Sequence, residues 1–217
     1  MTKSRFYRHY KNKPYRYLGT VRHSETLEEL VLYETLYENV HGRVWVRPKE
    51  MFFEKIVKNG KEIFRFEPIS FSYIESFAIG PKEKEMILSV GQKSFSDFDE
   101  VKLSRKLNET LQPYLITAYD VDKPVGFKLG FKQDADTFNS WLGGVLPDYQ
   151  KLGIATELMT KQHDWTKKNG FKKIITKSKS KFRQMIDLDL KHGFEITGTE
   201  KEMTNEITVL FQKSFDI

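Results

Sequence analysis

Between Leu146-Pro147 and a helical run that begins near Ile154 lies the stretch Gln150-Lys151-Leu152-Gly153-Ile154-Ala155, followed by Thr156. It holds one glycine, one lysine and no acid, in a chain where charged residues make up 30%. The first four N–H groups of a helix lack intrahelical partners, and the helix dipole makes that end positive. A phosphate or pyrophosphate can be bound there by backbone donors alone. Gly153 has no Cβ to obstruct the approach, Ala155 is small, and Lys151 adds a positive charge. The alternative is a turn glycine before an ordinary helix, and spacing by itself does not separate the two.

Three carboxylates, Asp148, Glu157 and Asp189, are candidates for a base acting through water. Tyr149 precedes the loop and could line the entrance for a second substrate. Glu157 lies off the apolar stripe of its helix, which favours a surface role for it. His163 sits among polar neighbours and is expected to face solvent. No HExxH, GxSxG, GxGxxG or Walker-type loop occurs, and the five histidines show no metal-ligand spacing, so no metal site is expected. Zero cysteines exclude disulfides, a thiol nucleophile and thiolate metal sites.

The elements that must hold these residues follow from periodicity. Ile154, Leu158 and Trp165 fall within roughly 40° of one another on a helix from about 154 to 169, ended by Gly170. Tyr114–Tyr119 and Val125–Phe131 read as two strands around the turn at 120–124, and Phe138–Val145 as a third that leads into the loop. Lys173–Lys177 reads as a further strand, and Phe182–Lys191 as a second helix that stops at His192-Gly193. Upstream, Glu85–Phe95 and Glu100–Leu111 have helical spacing. Before about residue 70 the pattern is of short strands: Tyr15–Val21, Leu30–Glu34 and Arg43–Arg47. Asn59-Gly60 suits a type I′ hairpin, and His41-Gly42 is a second turn candidate.

Composition bounds the class. With 217 residues, 39% hydrophobic, the chain is long enough for one large domain or an ordinary domain plus a small one. No apolar run approaches the ~20 residues needed to span a bilayer. The basic N-terminus has no apolar stretch behind it and does not read as a secretory signal. A cytoplasmic protein without membrane attachment is the expectation. The net charge of +6 is uneven: residues 1–72 carry 14 Lys/Arg against 9 Asp/Glu, and residues 73–217 carry 22 against 21. Seven basic residues from Lys3 to Arg22 precede the first acid, Glu25. Eight more occupy 167–183 with no acid among them. Each cluster could meet an anion or could be solvated surface.

The stretch Tyr114 to Gly198 resembles the GCN5-related N-acetyltransferase superfamily. The family's Arg/Gln-x-x-Gly-x-Gly/Ala loop corresponds to Gln150-Lys151-Leu152-Gly153-Ile154-Ala155. Trp141-Leu142-Gly143-Gly144-Val145-Leu146-Pro147 is similar to its fourth strand, and Asp189–Phe194, with the Gly193-Phe194 pair, to the end of its second motif. The resemblance implies an α/β, acyl-CoA N-acyltransferase-like fold with a mixed α+β sheet. It also implies transfer of an acetyl group from acetyl-CoA to a primary amine of a small molecule or protein. It implies a cofactor site of Val145, whose backbone would pair with pantetheine, then Gln150, Lys151, Leu152, Gly153, Ile154, Ala155, Thr156 and Ser180. Lys172, Lys173, Lys177, Lys179, Lys181 and Arg183 could help with the 3′-phosphate. Family members often carry a tyrosine acid where this chain has Asp189, and an asparagine near Ser180. An Asp there needs a raised pKa to donate a proton.

Residues 9–57 resemble a small bacterial domain of uncharacterised function, through His9-Tyr10-Lys11, His23-Ser24-Glu25-Thr26, Leu32-Tyr33-Glu34 and Trp45-Val46-Arg47-Pro48. His23, Glu25, Trp45 and Arg47 form a polar-aromatic set able to line a groove or to be a satisfied internal network. Tyrosines interleaved with Arg and Lys could also stack on single-stranded nucleic acid. The expected organisation is a small β-rich domain over 1–70 and an acetyltransferase-like domain over 71–217. The alternative function is a non-catalytic CoA-binding or nucleic-acid-binding adaptor led by the basic N-terminal module. The sequence leaves the acceptor and the oligomeric state open.

Overall fold

The computed structural model describes residues 5–201 and 206–215. Lys3, part of the N-terminal basic cluster, lies outside the described residues. The chain divides into two compact units, Met1–Phe71 and Ser72–Ile217.

The first unit runs β1 (Phe6–His9), β2 (Lys13–Arg22), β3 (Glu29–Thr35), β4 (Val44–Pro48), α1 (Lys49–Phe53), β5 (Lys55–Lys58), β6 (Lys61–Phe64) and β7 (Phe66–Pro68). Five strands form an antiparallel sheet in the order β4-β3-β2-β1-β7, and β5-β6 is a separate hairpin. Asn59 and Gly60, both at positive φ, make its turn, as the Asn-Gly pair predicts. His41-Gly42 also lies in a turn, closed by the Gly42 N–H to the Asn39 carbonyl at 3.1 Å, within the longer connection between the antiparallel β3 and β4. Alternation sends Val31, Tyr33 and Thr35 to one face of the sheet together with Tyr7, Tyr15, Trp45 and Arg47. There Tyr7, Val31, Tyr33, Phe52 and Phe66 form a largely aromatic core, with Phe52 stacked on Phe66 at 4.1 Å.

The second unit runs β8 (Ser72–Ser76), α2 (Pro81–Ser94), α3 (Glu100–Glu109), β9 (Pro113–Asp120), β10 (Lys123–Lys132), β11 (Thr137–Val145), α4 (Ile154–Lys168), β12 (Lys173–Lys179), α5 (Arg183–Lys191), β13 (Glu195–Lys201) and β14 (Ile207–Ser214). Its sheet has the order β13-β14-β12-β11-β10-β9-β8, antiparallel except for β11-β12. α2 begins at Pro81, earlier than periodicity suggests, because Pro suits the first helical position and the Glu83 carboxylate accepts from the Gly80 N–H at 3.0 Å. α2 packs on β10 and β11, and Gly91 admits the Phe98 ring, whose Cε2 would lie 2.2 Å from an added Cβ. α4 covers β9–β12 on the opposite face, where Tyr114 stacks on Trp165 at 4.2 Å. No helix among the described residues is long and apolar enough to cross a membrane.

Candidate active site

The parallel pair β11-β12 is joined over only three residues, Thr137–Asn139 against Lys173–Ile175. Beyond Ser140, whose carbonyl accepts from Thr176 Oγ1 at 2.8 Å, the strands part. β11 continues to Val145 paired with β10 alone, so its backbone on the β12 side carries no ladder from 140 to 145. On the other face, a Cβ at Gly144 would lie 3.1 Å from Ser94 of α2 and from the adjacent Phe95, so those side chains would have to give way slightly.

At the mouth of this opening stands the N-terminus of α4. Pro147–Tyr149 form one 3₁₀ turn, and Gly153, at φ 79° in the left-handed region, precedes the helix and has no side chain to cap it. Lys151 also has a positive φ, 64°, a strained conformation for a residue with a Cβ. The first intrahelical bond is Glu157 N–H to the Gly153 carbonyl, so the N–H groups of Ile154, Ala155 and Thr156 precede it. The side chains of Leu152 and Ile154 are buried, leaving these two residues only their backbone for a ligand. Gln150, Lys151, Gly153 and Thr156 are exposed, and Ala155 and Val145 are half-buried. Glu157, expected to have a surface role, closes the first turn of α4, so that turn is not wholly free of acid; its carboxylate lies 3.4 Å from Lys161.

Tyr149 is buried, and its hydroxyl donates to Asp120 Oδ2 at 2.8 Å, tying the 3₁₀ turn to the end of β9. Asp148 is exposed. Ser180 has an exposed side chain beyond β12, and its N–H donates to the Ile207 carbonyl. The basic run is largely paired: Lys172 with Asp136, Lys177 with Glu200, and Lys179 and Lys181 with both Asp97 and Glu206. These acids come from elsewhere in the chain, which is why the local sequence overstates the positive patch.

A layer of buried polar groups lies under α4, and periodicity gave little warning of it. Lys128 shares a face of β10 with Gly126 and Gly130 and is only 5% exposed. Asp189 on α5 is 0% exposed, and its Oδ2 accepts from Ser178 Oγ at 3.0 Å. Asp189 Oδ1, Ser140 Oγ, both amide atoms of Gln162 and His163 Nε2 are buried with no hydrogen-bond partner among the described residues. Burial raises the Asp189 carboxyl, against the lowering effect of Lys128 and of the Ser178 hydroxyl. Burial likewise lowers the Lys128 ammonium, with Asp189 acting the other way. The one available signal in the sequence was a lysine flanked two residues away on each side by glycine, Gly126-x-Lys128-x-Gly130. His163 corrects the expectation of a solvent-facing residue: it is buried against Phe194 and His192, because β14 and the segment after α5 cover that side of α4. Among the described residues, no group of three or more His, Asp or Glu could hold a metal ion.

In the first unit the proposed polar-aromatic set separates. His23 and Glu25 belong to the β2–β3 turn, where His23 Nδ1 accepts from the N–H groups of Glu25 and Thr26. Trp45 and Arg47 point to the aromatic face instead.

The family model for the acetyltransferase (GNAT) family matches residues 71–194, and one for a protein of unknown function (DUF1653) matches residues 5–68. No curated protein matches the chain at the sequence level. The fold is shared with the ribosomal-protein-S18-alanine N-acetyltransferase from Escherichia coli, at TM-score 0.59 and 14% identity over 67% of this chain and 96% of that one. It is shared too with a GNAT family acetyltransferase from Elizabethkingia anophelis with acetyl-CoA bound, at TM-score 0.55 and 18% identity over 67% and 98% of the two chains. A third likeness is the PaiA N-acetyltransferase from Thermoplasma acidophilum in complex with coenzyme A, at TM-score 0.52 and 14% identity over 68% and 100%. A strand that parts from its parallel neighbour beside an uncapped helix N-terminus, inside a segment that the family model matches for more than half of the chain, has one conclusion: the chain belongs to the acetyltransferase (GNAT) family.

Proposed function

We propose that the protein transfers an acetyl group from acetyl-CoA to a primary amine of a small molecule or protein. The observation that carries this reading is the pairing of the unladdered β11 backbone with the uncapped N-terminus of α4. Free N–H donors, a left-handed glycine and the absence of acid from Gln150 to Thr156 fit a pyrophosphate. The backbone of 140–145, Val145 included, offers polar groups to the amide-bearing pantetheine arm. Gln150, Lys151 and Ser180 add side-chain contacts at the rim, and Leu152, Ile154, Ala155 and Thr156 contribute through the helix start. Acetyl-CoA supplies a thioester: the neutral amine bonds to its carbonyl carbon, the C–S bond breaks, and the sulfur of coenzyme A leaves with the electron pair.

The chain's own task is to position the two reactants, which by itself can lower the barrier substantially, and to handle one proton on each side. Asp189 is the carboxyl whose burial favours the protonated form needed to donate to the departing sulfur. Tyr149 and Glu157 are weaker candidates, since the one already donates to Asp120 and the other faces Lys161.

Calorimetry with acetyl-CoA tests the reading on wild type and Gly153→Glu, which adds bulk and negative charge where phosphate should rest. Binding to wild type, abolished in the variant, is expected. In the same preparations, thiol release with a panel of amines should fall about a hundredfold in Asp189→Asn while acetyl-CoA binding persists. Absence of binding to wild type would overturn the reading, and unchanged turnover in Asp189→Asn would remove that residue from the proton transfer.

A further inference from the structure

The first unit contains a cavity of about 170 Å³ lined by Tyr15, Tyr33, Thr35, Asn39, Trp45 and Arg47. We propose that it is a binding site for a small planar anion, a single conjugated ring carrying a carboxylate or a phosphate. The inference is independent of acetyl transfer, because every lining residue belongs to the unit Met1–Phe71.

Register explains how the cavity arises. Tyr15 pairs with Thr35 and Tyr33 with Trp45, so these four side chains project from one face of neighbouring strands. Arg47, two residues on, projects to the same face and lies 5.7 Å over the Phe66 ring. Helix α1 covers the centre of that face through Phe52, which contacts Tyr7, Tyr33 and Phe66. The β3–β4 connection, with Asn39, borders the remaining aromatic surface.

The chemistry of the walls selects the ligand. Three aromatic rings offer flat apolar surface, which suits a conjugated ring. Aromatic walls alone would also suit a cation, but Arg47 lines the same cavity and disfavours one. Arg47 Nε is buried and has no hydrogen-bond partner among the described residues. A buried donor on a cation is costly to leave unmade, and a carboxylate or phosphate is the partner that a guanidinium binds best. The neighbourhood reinforces the sign. His9, in ring contact with Tyr15 and Phe66, is lowered to about 4 by burial and by Arg47, Arg65 and Lys11. Two of the three lining hydroxyls already have partners: Tyr15 with Tyr37 at 2.6 Å, and Thr35 with the Arg43 carbonyl at 3.5 Å. Asn39 accepts from the His41 N–H through Oδ1, which leaves its amide N–H groups as further donors to an anion. The volume is roughly half the lower end of the ~300–1,000 Å³ typical of drug-sized ligands, hence a single ring.

The test uses the full chain and four probes of similar size: benzoate, phenyl phosphate, neutral benzamide and cationic benzylamine. Binding is read from the indole N–H resonance of Trp45, assigned with Trp45→Phe. Millimolar benzoate or phenyl phosphate should shift that resonance saturably, and the stronger of the two identifies the acid group. Benzamide should bind at least about tenfold more weakly, as expected for loss of a charge-assisted bond. Arg47→Gln should weaken the anion by a similar factor. Asn39→Asp, a change at the rim away from the aromatic core, should do so without risk to folding. A shift that neither variant diminishes would overturn the proposal. So would no shift with either anion, or tighter binding of benzamide or benzylamine.

Discussion

At the scale of single residues, His163 is an imidazole that the fold keeps neutral. Burial is the main cause, and Lys213, Lys128 and His192 add positive charge around it, so that its pKa falls from 6.5 to about 3. Between those values the unfolded chain holds a proton that the folded chain refuses. Stability therefore falls as pH drops from 6.5 towards 3, and is unaffected by this group above 6.5. His163→Leu removes the titration and replaces an unpartnered ring nitrogen with apolar surface. Urea unfolding of wild type at pH 7 and pH 5 should show a loss that exceeds the variant's by about 2 kcal/mol, which is one proton over 1.5 units. Equal losses in the two proteins would mean that the imidazole is not held neutral. Sequence periodicity did place His163 on α4, but the neighbours that bury it, Phe194 and Lys213, come from elements far along the chain.

At the scale of elements, the strand β10 has to pass a phenyl ring. A Cβ on Gly130 would lie 2.4 Å from Phe138 Cε1 and 2.6 Å from the Asn139 carbonyl oxygen, and the second of these is backbone that cannot swing aside. The register of β10 against β11 shifts between Leu129 and Gly130, so the irregularity falls where the ring is accommodated. Gly130→Ala should lower stability by about 1–3 kcal/mol, the usual cost of overpacking, measured as a fall in denaturation midpoint at constant slope. An unchanged midpoint would show that the strand can move away from Phe138 at little cost. The elements themselves were largely legible. The turn at Asn59-Gly60, the loop before α4 and the glycine stops at 170 after α4 and 193 after α5 follow from local chemistry, which sequence carries directly. The pairings were not: β7 closes against β1, and β14 enters between β12 and β13. The same distinction divides the candidate site. A helix start suited to an anion is a property of consecutive residues, whereas Lys128 comes within electrostatic reach of Asp189 only because β10 and α5 are brought to one layer.

At the scale of the whole molecule, the question is where the acetyltransferase unit ends. The family match stops at residue 194, yet β13 and β14 follow it. β14 pairs with β12 along its full length, from Lys173 with Ser214 to Lys179 with Thr208. Without it, β12 would keep only its three-residue ladder with β11 and become the open edge of the sheet. Phe211 would be missing from the core, and Lys213 would no longer hold the His192 carbonyl at 2.7 Å. Charge makes the same point, since Glu200 and Glu206 pair with lysines of the 172–183 run. A fragment of residues 72–217 should therefore fold alone and bind acetyl-CoA as the full chain does. A fragment of 72–194 should give poorly dispersed amide spectra and aggregate through the exposed β12 edge. A well-folded 72–194 fragment would show that β14 only decorates the sheet. An unfolded 72–217 fragment would show instead that the second unit depends on the first for its stability, and the boundary at Phe71 would lose its meaning as a domain limit.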